Sequence, residues 1–422
     1  MTTSTHPTGQ DRPASLDWIE RLIRIPTISG DSNLELIEVI EQEFARHGVQ
    51  THRSLSDDRT RANLFATLPD CHGNTSGGVV ISGHTDVVPV EGQPWSSDPF
   101  EPVCREGRLY ARGAADMKSY LGVALWLLPR FAQAELERPV HFAFSYDEEP
   151  GCLGAPRMIE EFRERGIRPE LCIVGEPSLM SVIQAHKSPQ RGRITVRGVP
   201  KHSSMAAFGL NAVHCAGEFI DFYRRLAEQW RDEGPYDEGF EIPHTTGGVN
   251  VVRGGIAYNI VAEEAVLEYD FRAIAATPND QIRQRIERFL DEHLRPKMQA
   301  EVERIRGLGG ADERALEKVG IEMEVLSNVP GLDTPDDDPA VELAVRLGAR
   351  FGGEGHDGAP RRTRVPYGTE GGQFQAAGIH TVVCGPGDIA QAHTADEWVA
   401  LEQIRDCERF FEALLEWARS GA

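Results

Sequence analysis

Five short stretches place histidines and acids where apolar runs stop: GHTDVVP, RGAADMK, SYDEEPG, VGEPS and QAHTADEW. Together they offer His84, Asp86, Asp116, Glu148, Glu149, Glu176 and His393. An open α/β sheet presents its ligands at the carboxyl ends of its strands, which is where these residues fall. Two histidines and three carboxylates suit a pair of divalent, zinc-like ions with one carboxylate shared between them. His84 and Asp86 are two apart, so on a continuing strand their side chains share a face, and an acid beside an imidazole fixes its tautomer. Taken singly, each stretch also fits a blander role: a satisfied His-Asp pair, a turn acid, a structural histidine. The neighbours Glu148 and Glu149 would point to opposite faces of an extended strand. Pro150 and Gly151 supply a turn that ends the strand, which lets one glutamate bind and the other move protons.

Such ligands need strands to carry them. GGVVISGH, VHFAFSYD and ELCIVGEP are β-branched or aromatic runs bounded by turn residues, and they alternate with helical patterns such as SLDWIERLIRI and NLELIEVIEQEFARHG. The alternation predicts an α/β fold with a mainly parallel sheet. Near residue 188 the style changes. RGRITVRGV reads as a strand, NAVHCAGEFIDFYRRLAEQW as a helix, GGVNVVRGG and AVLEYDFRAI as strands, PNDQIRQRIERFLDEHL as a helix and GIEMEVLSNV as a strand. That β-α-β-β-α-β order is a split βαβ sandwich. After Gly331 the first style resumes with VELAVRLGARFG, the Gly-rich YGTEGG, HTVVCGPG and LEQIRDCERFFEALLEWA. The expected organisation is a larger domain of residues 1–187 and 330–422, with a smaller domain of residues 188–329 inserted. Residues 300–319 exceed a tight connection and are expected to form a helical or mobile insertion.

The 422 residues, 40% of them hydrophobic, are ample for two cores. Forty-four basic against 66 acidic residues give a formal charge of -22, which argues against nucleic acid or an anionic membrane as a partner. No apolar run reaches the ~20 residues of a membrane span, and MTTSTHPTGQDRPAS has neither a basic nor an apolar leader region, so a cytoplasmic location is expected. The seven cysteines lack any C-x-x-C and fit reduced thiols. There is no G-x-S-x-G, H-E-x-x-H or G-K-[ST] motif. A G-x-G-x-x-G at Gly353, Gly355 and Gly358 follows a helix instead of a strand and reads as a flexible loop.

GHTDVVPVEGQPWSSDPFEP, ARGAADMK, the DEE stretch, GEPS, GGIAYNIV, DFR and YGTEGGQFQAAGIHTVVCGPGDIAQAH occur in that order over nearly the whole chain. In them the sequence resembles the M20 family of dinuclear metallohydrolases. The resemblance implies a zinc-peptidase-like catalytic domain interrupted by a ferredoxin-like lid through which two copies dimerise. It also implies two divalent metal ions, Zn2+ with Co2+ able to substitute. His84 and Glu176 would bind one, Glu149 and His393 the other, with Asp116 bridging. Asp86 would orient His84, and Glu148 would be the general base. VRGVPKHSSMAAFGLNAV resembles the family stretch whose lid histidine reaches the partner subunit's site, which gives that role to His202; read alone, His202 is a surface-loop residue. Asn259 and Arg272 match substrate-contacting positions, and Arg272 would pair with an α-carboxylate. The implied reaction is hydrolysis of the amide of a small N-acyl amino acid, with desuccinylation and dipeptide cleavage as sister activities. A metal-dependent amino-acid-binding dimer without catalysis is the alternative; a missing ligand or base would favour it, and none is missing. Glu370 in YGTEGGQF is a spare acid that could hold a cationic ω-amine or, equally, cap the helix beginning there. Two places depart from the pattern: Thr394 and Ala395 stand where similar members tend to have Lys-Pro, and Ser119 replaces a glycine common after DMK.

Overall fold

The computed structural model describes residues 12–309, 312–349 and 363–421. The glycines Gly353, Gly355 and Gly358 lie outside them. The chain forms two compact units, one of residues 1–186 with 332–422 and one of residues 187–331.

The first unit is built on a nine-stranded sheet. Its central strands Val140–Ser145, Val79–His84, Leu171–Pro177 and His380–Gly385 lie side by side in that order, all parallel. Antiparallel strands flank them, Thr51–Leu55 and Ala62–Leu68 on one side, Ile183–His186 and Leu332–Asp333 on the other. Every residue of Val79–His84, Val140–Ser145 and Leu171–Pro177 is buried, as helices on both faces require. The two-residue period is visible in the core. Val79, Ile81, Phe142, Phe144 and Ile173 face a cluster with Ile19, Leu121 and Phe411, whereas Val80, Ala143, Cys172 and Val174 face Met158, Phe162 and Phe374. Each fully buried aliphatic or aromatic side chain contributes roughly 2 kcal/mol of transfer free energy.

Two glycines bring the helix Lys118–Gln133 and its N-terminal turn close beneath the strand ends. A Cβ on Gly83 would lie 2.5 Å from Met117 Cε, and one on Gly175 2.1 Å from the Tyr120 ring. Each glycine immediately precedes a candidate ligand, His84 or Glu176, so close packing there sets where those strands end.

Residues 187–331 form an antiparallel sheet in the order Thr246–Gly254, Glu264–Ala273, Ser188–Arg197, Gly320–Asn328. With the helices Ala212–Glu233 and Asn279–Phe289 the chain order is strand, helix, strand, strand, helix, strand. One face packs Ile194, Val196, Leu267, Tyr269 and Phe271 against Phe219, Tyr223, Ile282 and Ile286. The second helix runs on beyond its expected end through Leu290–Leu294 into Arg295–Gly307, and Glu313–Glu317 adds a short turn. The insertion is thus helical where described, anchored by buried Val302, Ile305 and Leu316. No described helix is long and apolar enough to cross a membrane, and all seven cysteines are free.

Candidate metal centre

His84 closes the strand Val79–His84 and Glu176 is the penultimate residue of Leu171–Pro177. Glu148 and Glu149 follow Val140–Ser145 in a turn, and Asp116 lies two residues before the helix Lys118–Gln133, next to its N-cap Met117. His393 sits after the short helical turn Ile389–Gln391 with φ +62°, in the left-handed region. These elements converge. Asp116 Oδ1 lies 2.8 Å from His84 Nε2 and Asp116 Oδ2 3.2 Å from His393 Nε2, so its two oxygens each face one imidazole. Glu149 Oε2 is 2.8 Å from His393 Nε2, and Glu176 Oε1 is 3.6 Å from His84 Nε2. Glu148 groups with His84 and Glu176, their ligand atoms all within 4.8 Å of one another.

The donor set fits divalent ions on two observations. It consists of imidazole nitrogens and carboxylate oxygens, the ligands of zinc-like metals. Glu149 Oε1 and Glu176 Oε1 are also buried without a hydrogen-bond partner, although buried carboxylate oxygens are ordinarily satisfied. His84 Nδ1 donates to the main-chain oxygen of Asp86 at 2.8 Å, which leaves Nε2 as the ligand nitrogen.

The electrostatics agree. Burial, reinforced by Asp116, pushes the Glu149 carboxyl up to about 7; burial, then Glu149, pushes Glu148 up to about 8 against the nearby His84. Burial likewise raises Glu176 well above the carboxylate range. His393, bonded to Asp116 and Glu149, is raised to about 10. His84 is raised too: burial opposes this, but the charge of Glu176 and bonds to Asp116 and Asp86 prevail. Asp116 is held below its usual range despite burial by its bonds to the two histidines. A dry cluster of acids that calls for positive charge is what two divalent cations relieve.

Asp86 acts in more places than the H-x-D spacing suggested. Its carbonyl, not its carboxylate, makes the short contact to His84, with Oδ1 at 3.5 Å from the same ring nitrogen. The carboxylate accepts from the backbone N–H of Glu148 (3.0 Å) and Glu149 (3.4 Å) and from Ser29 Oγ (2.7 Å). Glu370 is buried and its two oxygens accept from Ser82 Oγ and Ser145 Oγ, each at 2.6 Å. Its side chain does not cap the helix Gly371–Ala376, which corrects the cap reading. Among the departures, Ser119 donates to Ala114 O at 2.5 Å and Thr394 to Gln391 O at 2.9 Å, both local turn contacts.

His202, Asn259 and Arg272 belong to the other unit. His202 is exposed, its Nδ1 2.8 Å from Ser204 Oγ, and its segment pairs with the one carrying Asn259: Ser203 N donates to Asn259 O at 2.8 Å and His202 bridges Ile260. Arg272 pairs with Pro189 near the start of the strand Ser188–Arg197, whereas His202 follows the end of that strand; Arg272 Nε is 3.3 Å from Asp270 Oδ2.

Sequence reasoning overlooked several neighbours. Cys152 Sγ donates to Glu148 Oε1 at 3.1 Å, and Asp147 holds Gly30 N and the Arg61 guanidinium. Buried Glu397 accepts from the amides of Ala115 and Asp116. Cys152 and Glu397 each stand four residues after a candidate site residue, Glu148 or His393, the only signal the sequence carries for them.

The model of peptidase family M20/M25/M40 matches residues 80–417. An acetylornithine deacetylase of Myxococcus xanthus is 30% identical over 399 residues, covering 94% of this chain and 95% of that protein. An M20 family metallo-carboxypeptidase from Sulfolobus solfataricus superposes with a TM-score of 0.71 at 17% identity over 96% of this chain and 99% of its own. A dinuclear metal-binding M20 peptidase from Bacillus subtilis does so with a TM-score of 0.59 at 16% identity over 95% and 96%. With the ligand cluster at its strand ends and the match running through it, the chain belongs to peptidase family M20/M25/M40 and is a metal-dependent amide hydrolase.

Proposed function

We propose that this chain hydrolyses N2-acetyl-L-ornithine to L-ornithine and acetate. His84 and Glu176 bind one divalent ion, Glu149 and His393 a second, and Asp116 both; the ions are Zn2+, with Co2+ able to substitute. The observation that carries this reading is Asp116, whose two oxygens face His84 at 2.8 Å and His393 at 3.2 Å, as a bridging carboxylate must. The acetylornithine assignment is supported by the 30% identical relative.

Bound there, two divalent ions supply Lewis acidity, which lowers the pKa of a coordinated water and polarises the amide carbonyl. The protein's own groups do the rest. Glu148, in a dry pocket and hydrogen-bonded by Cys152, takes a proton from the attacking water and delivers it to the departing amine. Asp86 keeps Glu148 and Glu149 in place by their backbone amides. Arg272 pairs with the substrate α-carboxylate, Asn259 contacts the substrate, and His202 donates to the developing oxyanion.

The ladder of residues 187–331 supports a homodimer with His202 acting in trans. Arg272 lies opposite Pro189, whereas His202 lies beyond Arg197 at the other end of the same strand. At about 3.4 Å per residue the two are roughly 25 Å or more apart, too far for one copy to place both on one amino-acid-sized substrate. The free edge strand Thr246–Gly254 and the exposed Ile256 and Tyr258 beside it suit pairing with a second copy.

A sister activity, desuccinylation or dipeptide cleavage, is favoured by one observation: Glu370, an acid that could hold an ω-amine, is already engaged by Ser82 and Ser145. The deciding experiment reconstitutes metal-free protein with Zn2+ or Co2+ and follows free amine from N-acetyl, N-succinyl and dipeptide substrates. Acetylornithine is expected to give the highest kcat/KM. A preference of more than about tenfold for a succinylated or peptide substrate would overturn the assignment.

A further inference from the structure

Two ligands lie in loops outside the parallel strands: Asp116, before the helix Lys118–Gln133, and His393, after the turn Ile389–Gln391. One closed network joins them. Glu397 Oε1 accepts from Ala115 N at 2.8 Å and Asp116 N at 3.1 Å, and Glu397 Oε2 accepts from Arg112 Nη1 at 2.7 Å. Arg112 Nη2 donates to Gln93 Oε1 at 2.6 Å, and Gln93 Nε2 donates to the main-chain oxygen of His393 at 2.8 Å. Arg112 Nη1 also reaches Thr394 O at 3.4 Å, and Ala111 N donates to Glu397 O at 3.0 Å. The path therefore runs from the amide of Asp116 through Glu397, Arg112 and Gln93 to the carbonyl of His393.

The network has physical work to do at both ends. His393 is held at φ +62°, a conformation that persists for a residue with a side chain only where its surroundings over-determine it, and its side chain is half exposed. Asp116 lies outside any strand, so its carboxylate is aimed by its backbone. Glu397 and Arg112 are both fully buried, which makes their bonds strong and their geometry stiff. Asp86 does the same thing on the other side of the site, where one carboxylate accepts the consecutive amides of Glu148 and Glu149.

We propose that Glu397 is a positioning residue for the metal centre: it fixes the backbone of Asp116 and, through Arg112 and Gln93, holds His393 in register with it, so that the ion between them finds both ligands prearranged. This rests on reading Asp116 and His393 as ligands.

The test uses metal-free full-length protein titrated with Co2+, followed by visible absorption and calorimetry, alongside thermal unfolding of the metal-free form. Glu397→Gln keeps an acceptor for the two amides but loses the charge that holds Arg112. Wild type is expected to take two equivalents. Glu397→Gln should take the first within about threefold of wild-type affinity and the second at least tenfold more weakly, with an altered Co2+ spectrum and a lowered kcat at little changed KM. Gln93→Ala, at a partly exposed position where folding is not at stake, should weaken the second equivalent in the same direction by a smaller factor. Wild-type affinity for both equivalents and an unaltered spectrum in either variant would overturn the proposal, as would equal weakening of both equivalents. Failure of the underlying site reading shows up separately, as Asp116→Asn and His393→Ala leaving Co2+ uptake intact.

Discussion

The nine-stranded sheet of the discontinuous unit and the four-stranded sheet of residues 187–331 differ in how their faces and edges are covered. In the first, the strands that end in His84 and Glu176, and the one leading to the paired glutamates, are buried along their whole length. In the second, the edge strand Thr246–Gly254 is partly or fully exposed throughout, Val252 is 51% exposed, and beside it Ile256 and Tyr258 reach 89% and 100%. Packing both faces of a sheet leaves its strand ends as the place where polar groups can gather, and there chemistry is found. Packing one face leaves an edge and apolar side chains that invite another chain. One unit is finished by its own helices, and the other is open to completion from outside.

The sharpest way to separate the two is at the paired glutamates. Glu148→Gln should lower kcat by about 1000-fold while both metals stay bound, whereas Glu149→Ala should lose one metal. Metal analysis of the two dialysed variants checks this, and equal metal loss in both would show that the base has been misassigned.

The buried sheet should also betray its interior through pH. His141 in Val140–Ser145 donates from Nε2 to Gly77 O at 3.1 Å and accepts at Nδ1 from Thr67 at 3.0 Å, a neutral pattern, and burial pushes its pKa down to about 4. The unfolded chain binds a proton below about 6.5 that the folded chain refuses until about 4. His141 therefore contributes stability that is fully present above pH 6.5 and lost as pH falls toward 4, by about 3 kcal/mol. Denaturant unfolding of wild type and His141→Gln between pH 4 and 7.5 should show a difference with that slope, and a flat difference would refute it.

The open unit is broken differently. Tyr258→Asp combined with Val252→Lys is expected to yield a monomer by sedimentation, with the fold retained and kcat/KM reduced by about 100-fold, the scale of one lost oxyanion donor. A fully active monomer would end the reading of that edge as an interface. The smallest effect is expected at Glu370. Glu370→Gln should lower kcat/KM a few-fold and equally on acetylornithine and on a neutral N-acetyl amino acid, and a loss confined to acetylornithine would show that this acid senses the amine after all.

Much of this contrast is legible in the sequence, for physical reasons that also mark where legibility stops. VVISGH and LCIVGEP announce buried strands because continuous β-branched runs have few other uses, and the alternation in AVLEYDFRA announces a sheet with one covered face. The helix Lys118–Gln133 gives no clean stripe, since it is buried nearly all round. Strands as short as Thr363–Val365 exist only because a neighbour pairs with them. At the site, the ligand types and the supporting Asp86 could be read, but not the partners of the acids farther along the chain. Glu397 looks like an ordinary solvated glutamate in QAHTADEW, and Glu370, singled out in YGTEGG, gives no hint of its partners; only the fold reveals that one faces consecutive amides and the other two serines from neighbouring strands.

The separation of Arg272 and His202, at opposite ends of the strand Ser188–Arg197, has a consequence for mixtures. On the proposed reading each active site borrows its oxyanion donor, so a chain lacking Glu148 still lends a good His202, and a chain lacking His202 still offers a good Glu148. Two preparations, each inactive alone, should then rescue one another when unfolded together and refolded. Random pairing makes half of the dimers hybrid, each with one complete site, which restores about a quarter of wild-type turnover.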